Sequence, residues 1–421
     1  MRQLRLIRPL LLFAFVGTLS YLCSHAALAA SQIGKPHVAT NIDDADADYA
    51  FQGEYLGTLG YVGGGPWQTF GLQVAAVGDG DYIAVEYPGG LPGKGWYGGE
   101  KAYLRGRREP DRLTLRGDGR RYDVIDGIAW HVDYNGDKLT WLTKVNRQSR
   151  SLGAPPPANA IVLFDGLKTD QLVNARVTSD GLLKEGARTK DAWQDYFLHV
   201  EFQLSYMPFA RQQGRSNSGV YLQRSYEIQI LDSFALEGFP NECGAIYRYR
   251  APEINMCLPP LAWQTYDIDF KSARFDVHGK KTEDAYVTVW QNGYAVQEQV
   301  PIARKTGHGQ PETSELLPIE FQNHGDPVRF RNIWLVVNSR QVGQYDSGLP
   351  FNTYQQPGSS VYGNVHLPQR HGFYWTGRLT PPANAASVIT PTEGPAALPA
   401  GAGAAVPAPP AASPPPAPIS P

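Results

Sequence analysis

Short apolar runs alternating with polar residues recur along most of the chain, and stretches with helical spacing do not. Between 41 and 150 the runs Tyr49-Ala-Phe51, Leu72-Gln-Val-Ala-Ala-Val77, Tyr82-Ile-Ala-Val-Glu-Tyr87, Arg112-Leu-Thr-Leu-Arg116, Tyr122-Asp-Val-Ile125 and Leu139-Thr-Trp-Leu142 are split by turn signals such as Gly78-Asp-Gly80 and Gly117-Asp-Gly119. Alternation buries one face of a strand, and glycine-containing turns close hairpins. This region therefore predicts a small all-β domain. The proline-rich stretch 151–160 reads as a linker. Behind it, 161–337 carries a second set of strands, in which Tyr266, Ile268 and Phe270 alternate with Asp267 and Asp269. So many strands without a long helical window predict a two-sheet β-sandwich.

Composition supports an all-β fold. The 421 residues include 44 Gly, 34 Pro and 23 Tyr but only 3 Met, which suits a turn-rich aromatic protein and excludes helical bundles. Lys+Arg number 38 against 40 Asp+Glu, so no basic surface is expected for nucleic acid or acidic membranes. The first thirty residues have the layout of a secretory signal: Arg2, Arg5 and Arg8, an apolar stretch from Leu10 to Leu22, then small residues to Ala30. That apolar stretch is short for a membrane span, and Tyr21-Leu22 before Cys23 is bulky for a lipoprotein site. The protein is expected to be exported, with no stable membrane insertion after cleavage. Cleavage would leave Cys243 and Cys257, and an even pair in an oxidising compartment predicts a disulfide. Residues 338–380 form a C-terminal extension. From 381 to 421 the chain is almost wholly Pro, Ala, Gly, Ser and Thr, which predicts a disordered tail.

Several motifs occur in a set order: Leu163-Phe-Asp-Gly166, Tyr196-Phe-Leu-His-Val-Glu-Phe202, Ser216-Asn-Ser-Gly-Val-Tyr221, Tyr226-Glu-Ile-Gln-Ile-Leu-Asp232, Trp290-Gln-Asn-Gly293, Ile319-Glu-Phe-Gln-Asn-His-Gly325 and Phe330-Arg-Asn-Ile-Trp334. Over about 160–337 this order resembles the 3-keto-disaccharide hydrolase family. The resemblance implies a concanavalin A-like jelly-roll sandwich, exported and acting on glycosides whose C3 hydroxyl has become a ketone. Glu320 departs from the more usual aliphatic or neutral residue of that family, and reads as an added functional carboxylate or a surface change.

The residues carry their own chemistry. On a strand, Glu227 and Gln229 share one face while Ile228 and Ile230 face the core. A bulge near Leu231 would return Asp232 beside them. That gives Glu227 and Asp232 as candidate catalytic carboxylates on a concave, solvent-facing surface, against the plainer reading of a solvated strand face. His324, at a strand end, is preferred over the mid-strand His199 for proton transfer, since sites gather where strands open onto loops. Arg224, Gln229, Asn217, Tyr221, Gln322 and Glu320 complete the predicted cleft as substrate-binding residues, with Arg224 the candidate donor to an enolate oxygen. Trp96 and Tyr97 suit either a sugar-stacking platform or ordinary loop packing. Glu227, Asp232, Glu320 and His324 are hard metal donors, but their separation gives no compact ligand signature, so no metal or other cofactor is assumed. The function expected is cleavage of 3-keto-glycosides through C2 deprotonation, elimination and hydration, with a carbohydrate as the partner. A lectin-like binding module and a retaining glycosidase are the alternatives.

Overall fold

A computed structural model describes residues 37–59, 68–337 and the strand 373–375. The predicted signal segment 1–30 with Cys23, the tail 381–421 and all but that strand of the extension 338–380 lie outside the described residues. Among the described residues the helical content is two short 3-10 turns, Ala47–Ala50 and Gln212–Gly214, and no helix is long and apolar enough to cross a membrane.

The first β unit is a closed barrel. Its strands are β1 (Gly53–Leu59), β2 (Gln68–Ala76), β3 (Asp81–Pro88), β4 (Ala102–Arg108), β5 (Leu113–Gly117), β6 (Arg120–Ile125), β7 (Ile128–Val132) and β8 (Lys138–Val145). Each pairs antiparallel with its sequence neighbour, and β1 pairs with β8, so no edge is left open. The turns explain the meander. Asp79-Gly80, Asp118-Gly119 and Asp126-Gly127 all have positive φ at both residues, the geometry that matches the right-handed twist of a tight hairpin. Leu72, Val74, Tyr82, Leu113, Leu115, Tyr122 and Val124 fill the interior.

The second unit is the predicted sandwich. One sheet has the order β9-β20-β13-β16-β17-β18, where β9 is Ile161–Phe164, β13 Asp195–Gln203, β16 Trp263–Lys271, β17 Ala285–Gln291, β18 Tyr294–Ile302 and β20 Arg329–Val337; the short β11 (Leu183–Lys184) joins β20. The other has the order β10-β12-β19-β14-β15, with β10 Leu172–Val173, β12 Arg188–Thr189, β14 Asn217–Leu222, β15 Tyr226–Leu231 and β19 Glu320–Phe321. Alternate residues of both sheets meet in one core: Leu198, Val200 and Phe202 from β13, Ile268 and Phe270 from β16, Val220 and Leu222 from β14, Ile228 and Ile230 from β15.

Two regions read as loops are part of the packing. The proline-rich stretch is docked through its first residues: Ser151 Oγ donates to Asp267 Oδ2 at 2.7 Å, Gly153 N–H to Glu201, and the carbonyl of Ala154 accepts from Asn332 and the Trp334 indole. It covers the outer face of the first sheet, where His199 is fully buried. His199 Nδ1 lies 2.6 Å from Asp267 and its ring stacks on Trp334. Burial opposes the imidazolium, but Asp267 and Glu201 outweigh it and hold His199 up at about 9, so this histidine is a structural cation. Trp96 is also buried, edge-on to Tyr87 and beneath Lys101, so loop packing accounts for it, whereas Tyr97 is exposed and stacks on Tyr294.

Cys243 and Cys257, the predicted disulfide pair, stand as neighbouring thiols in the sandwich core, each in hydrogen-bonding contact with the other. Cys243 also meets the Tyr266 hydroxyl at 3.2 Å and the Gln291 amide at 3.3 Å.

Candidate active site

The β14–β15 hairpin turns through Gln223 and Arg224, both with positive φ although neither is glycine. Its register runs unbroken from Leu222–Tyr226 to Asn217–Leu231. Two rows of side chains follow from this and the neighbouring pairings. Arg188, Glu320, Tyr221 and Glu227 stand opposite one another across four strands. Beside them, Gln322 bonds through its N–H to the carbonyl of Gly219, which is opposite Gln229. Since Val220, Leu222, Ile228 and Ile230 face the core, these polar residues share the outer face.

That face is not a solvated strand surface, because every residue of β14 and β15 is buried. Glu227 is only 2 % exposed, which corrects the expectation of a solvent-facing side chain. Its carboxylate lies over Gly219, where a Cβ would come within 2.5 Å of Oε1, and its Oε2 accepts the Tyr221 hydroxyl at 2.7 Å. Burial lifts Glu227 from an ordinary 4.5 to about 7, against the opposing help of Tyr221 and the Arg248 charge. Burial, then Glu227 itself, pushes the Tyr221 phenol up, so it stays a hydrogen-bond donor. A carboxyl near 7 can both take and return a proton at neutral pH.

Around it are groups suited to hydroxyl recognition. The amide oxygens of Asn217, Gln229 and Gln322 are buried and have no hydrogen-bond partner, as buried polar atoms rarely do unless something else completes them. Gln322 Nε2 reaches the Tyr221 hydroxyl at 3.4 Å. Next to Gln322 and Glu320 opens a cleft of about 500 Å³, also lined by Asn174, Arg176, Gly186 and Asn323. His324 lies at the end of this strand with Nδ1 on Asp326 at 3.1 Å, and Asp326 also accepts the Asn217 backbone N–H.

Not every predicted residue joins this group. No bulge interrupts β15, so Asp232 lies past the strand end, 1 % exposed and held by Arg215 Nη2 at 2.6 Å and Nε at 3.2 Å. It is a buried ion-pair partner, and the carboxylate pair a retaining glycosidase needs is not assembled with Glu227. Arg224 is committed to Glu320, its Nε 2.8 Å from Oε2. The four possible metal donors are not gathered, and among the described residues no group of three or more His, Cys, Asp or Glu could hold a metal ion.

Other residues at the site left no mark in the sequence. Residues 244–247 add a further edge to β15, with Tyr247 N–H on the carbonyl of Glu227, and so bring Arg248 close enough for its charge to act on the Glu227 carboxyl. Arg248 is exposed, has φ +54°, and lies 5.3 Å over the Tyr247 ring. Gln213 reaches the same face from the loop before β14, accepting from Gln229 Nε2 at 3.1 Å. Neither residue lies on a regular strand whose alternation could have pointed to it.

Residues 159–336 match the family described as the 3-keto-alpha-glucoside-1,2-lyase-like domain. Three solved structures from Parabacteroides distasonis ATCC 8503, each named a "putative glycosyl hydrolase", also match. The first is 30% identical, covering 43% of this chain and 84% of its own, with a TM-score of 0.39. The second and third are 18% and 22% identical, cover 46% and 42% of this chain and 99% and 98% of their own, and have TM-scores of 0.31 and 0.30. No curated protein matches the chain. On the sequence match, residues 159–336 belong to the 3-keto-alpha-glucoside-1,2-lyase-like domain family, a glycoside-acting class.

Proposed function

We propose that the sandwich cleaves 3-keto-glycosides by 1,2-elimination, as an exported enzyme, and that Glu227 is its base. The observation that carries this reading is the Glu227 carboxyl itself: buried, accepting the Tyr221 hydroxyl at 2.7 Å, lifted toward neutral pH by burial, and within the field of the Arg248 charge. The family description, with its 3-keto glucoside and its 1,2-lyase chemistry, supports the same reaction.

A C3 ketone acidifies the C2 proton because the resulting carbanion delocalises onto the ketone oxygen. Glu227 takes that proton, and the Arg248 guanidinium stabilises the enolate oxygen, the role that sequence alone suggested for Arg224. The enolate electrons return, the C3 carbonyl reforms, C1=C2 forms and the C1–O bond breaks. Protonated Glu227 gives its proton to the departing oxygen, so the products are a 2-hydroxy enone and an alcohol. Water then adds its oxygen at C1 and a proton at C2. His324, anchored through Nδ1 on Asp326, leaves Nε2 to take the water proton. Asn217, Gln229 and Gln322 accept sugar hydroxyls.

Turnover of a 3-keto-disaccharide beside its unoxidised parent, in deuterated water, tests this. Cleavage of the keto substrate alone, with solvent deuterium at C2 above that in enzyme-treated free 3-keto-sugar, is the expected result. Equal cleavage of the parent, or full retention of the C2 hydrogen, would refute elimination. Binding without turnover would select the lectin-like reading.

A further inference from the structure

The barrel lies outside the matched family domain, yet it holds one of the loops that shapes the candidate site. Residues 204–216 connect β13 to β14. The first half of this loop is built into the barrel. Tyr206 is buried in the barrel core, bridges Ala39 through backbone bonds of 2.9 and 3.0 Å, donates its hydroxyl to Asp46 at 2.9 Å, and packs edge-on to Tyr49. Phe209 lies on Gly78 in the β2–β3 turn, so close that a Cβ at Gly78 would be 2.6 Å from the ring. Arg211 Nη2 donates to the carbonyl of Val77 at 2.5 Å, while Nη1 ties down the carbonyls of Pro208 and Ala210.

Two residues further on, Gln213 distributes that anchorage over the polar face. Its carbonyl accepts from Asn217 Nδ2 at 2.9 Å, and its Oε1 accepts from Gln229 Nε2 at 3.1 Å. Its Nε2 donates to the carbonyl of Asn241 at 2.8 Å. Asn241 follows Pro240, whose carbonyl accepts the Arg248 N–H at 2.7 Å. One residue thus sets the orientation of Asn217 through its backbone carbonyl and of Gln229 through its side-chain amide, and that amide also braces the segment that carries Arg248. Both amide side chains are 1 % exposed, with their oxygens left unpartnered. Rotation of either would exchange an acceptor for a donor on that face.

We infer that the N-terminal barrel is a positioning element of the site: Phe209 and Arg211 fix the loop on the barrel, and Gln213 transmits that fixation to Asn217, Gln229 and the Arg248 segment. The inference rests on the proposal that this face is where substrate binds. None of these three residues is assigned a contact with substrate.

Phe209→Ala tests it, because Phe209 is 44 % exposed and its loss removes the loop's seat without emptying a core. Hydrogen exchange and kinetics are measured on the full chain for Phe209→Ala, Gln213→Ala, the double variant and Phe209→Leu. Exchange in 212–217 and 239–248 is expected to rise about fivefold or more in Phe209→Ala, with β1–β3 and β16 as protected as in the unaltered protein. The ratio kcat/KM on a 3-keto-disaccharide should fall about tenfold, mainly in kcat, as misplaced groups lose reactive geometry. The double variant should be no worse than Gln213→Ala, and Phe209→Leu should recover most of the loss. Unchanged exchange in both segments would overturn the inference. So would a general loss of protection across the barrel with kcat per folded molecule intact. If the unaltered protein does not turn over any 3-keto substrate, the proposed reaction fails, and the exchange measurement still decides the coupling.

Discussion

Replacing Glu227 by glutamine separates the charge of this side chain from its shape. Folding carries the carboxyl from an ordinary 4.5 to about 7, with burial the largest cause. The folded state therefore favours the neutral acid. The stability that goes with it is complete below about 4.5 and is lost as pH rises through about 7. At about 1.4 kcal/mol for each pH unit between the two values, the loss approaches about 3 kcal/mol at pH 8. Glutamine is neutral throughout, and its amide oxygen can still accept the Tyr221 hydroxyl. Urea unfolding followed by tryptophan fluorescence, on wild type and Glu227→Gln between pH 4 and 8, measures the difference. The variant should gain on wild type by about 3 kcal/mol across that range, while turnover falls by about 100-fold or more for want of a base. Parallel stability profiles would show that Glu227 ionises without penalty and refute the desolvation argument. Retained turnover would remove it from the chemistry.

Arg248→Met should lower kcat about 100-fold, whereas Arg224→Met, which breaks only a half-exposed ion pair with Glu320, should cost under about 1 kcal/mol of stability and much less activity; the reverse order would return the enolate role to Arg224. Gly219→Ala puts a methyl group where Glu227 Oε1 lies and should abolish turnover with the fold retained, so an active Gly219→Ala would show that Glu227 need not sit over this glycine. The His199 imidazole resonance should titrate near 9, with a stability contribution present below about 6.5 and lost as pH rises through about 9; titration near 6.5 would deny its pairing with Asp267 and Glu201. Alkylation of the denatured, unreduced protein should modify both Cys243 and Cys257, and a cross-linked peptide joining them would restore the disulfide.

Local pattern alone determined most of the strands, the two β units and the parity that places Glu227 and Gln229 on one face with Ile228 and Ile230 on the other, while Tyr49-Ala-Phe51, read among the strand runs, closes the 3-10 turn Ala47–Ala50 instead. These follow from side chains that alternate every second residue, a property each segment carries by itself. Asp-Gly pairs likewise announced the barrel turns, because both residues tolerate positive φ. Closure of the barrel was not legible, since it depends on β1 meeting β8 across the whole unit. Asp232 was placed beside Glu227 only by assuming a bulge, and the unbroken pairing of β14 with β15, with Arg215 waiting beyond the strand end, removed it. The row from Arg188 through Glu320 and Tyr221 to Glu227 joins residues far apart in the chain, so only strand order could assemble it. Burial of Glu227, the charge on His199, and the arrival of Arg248 and Gln213 depend on which segments cover a face. Covering is a long-range choice made by the packed core, and no periodicity in a single segment records it.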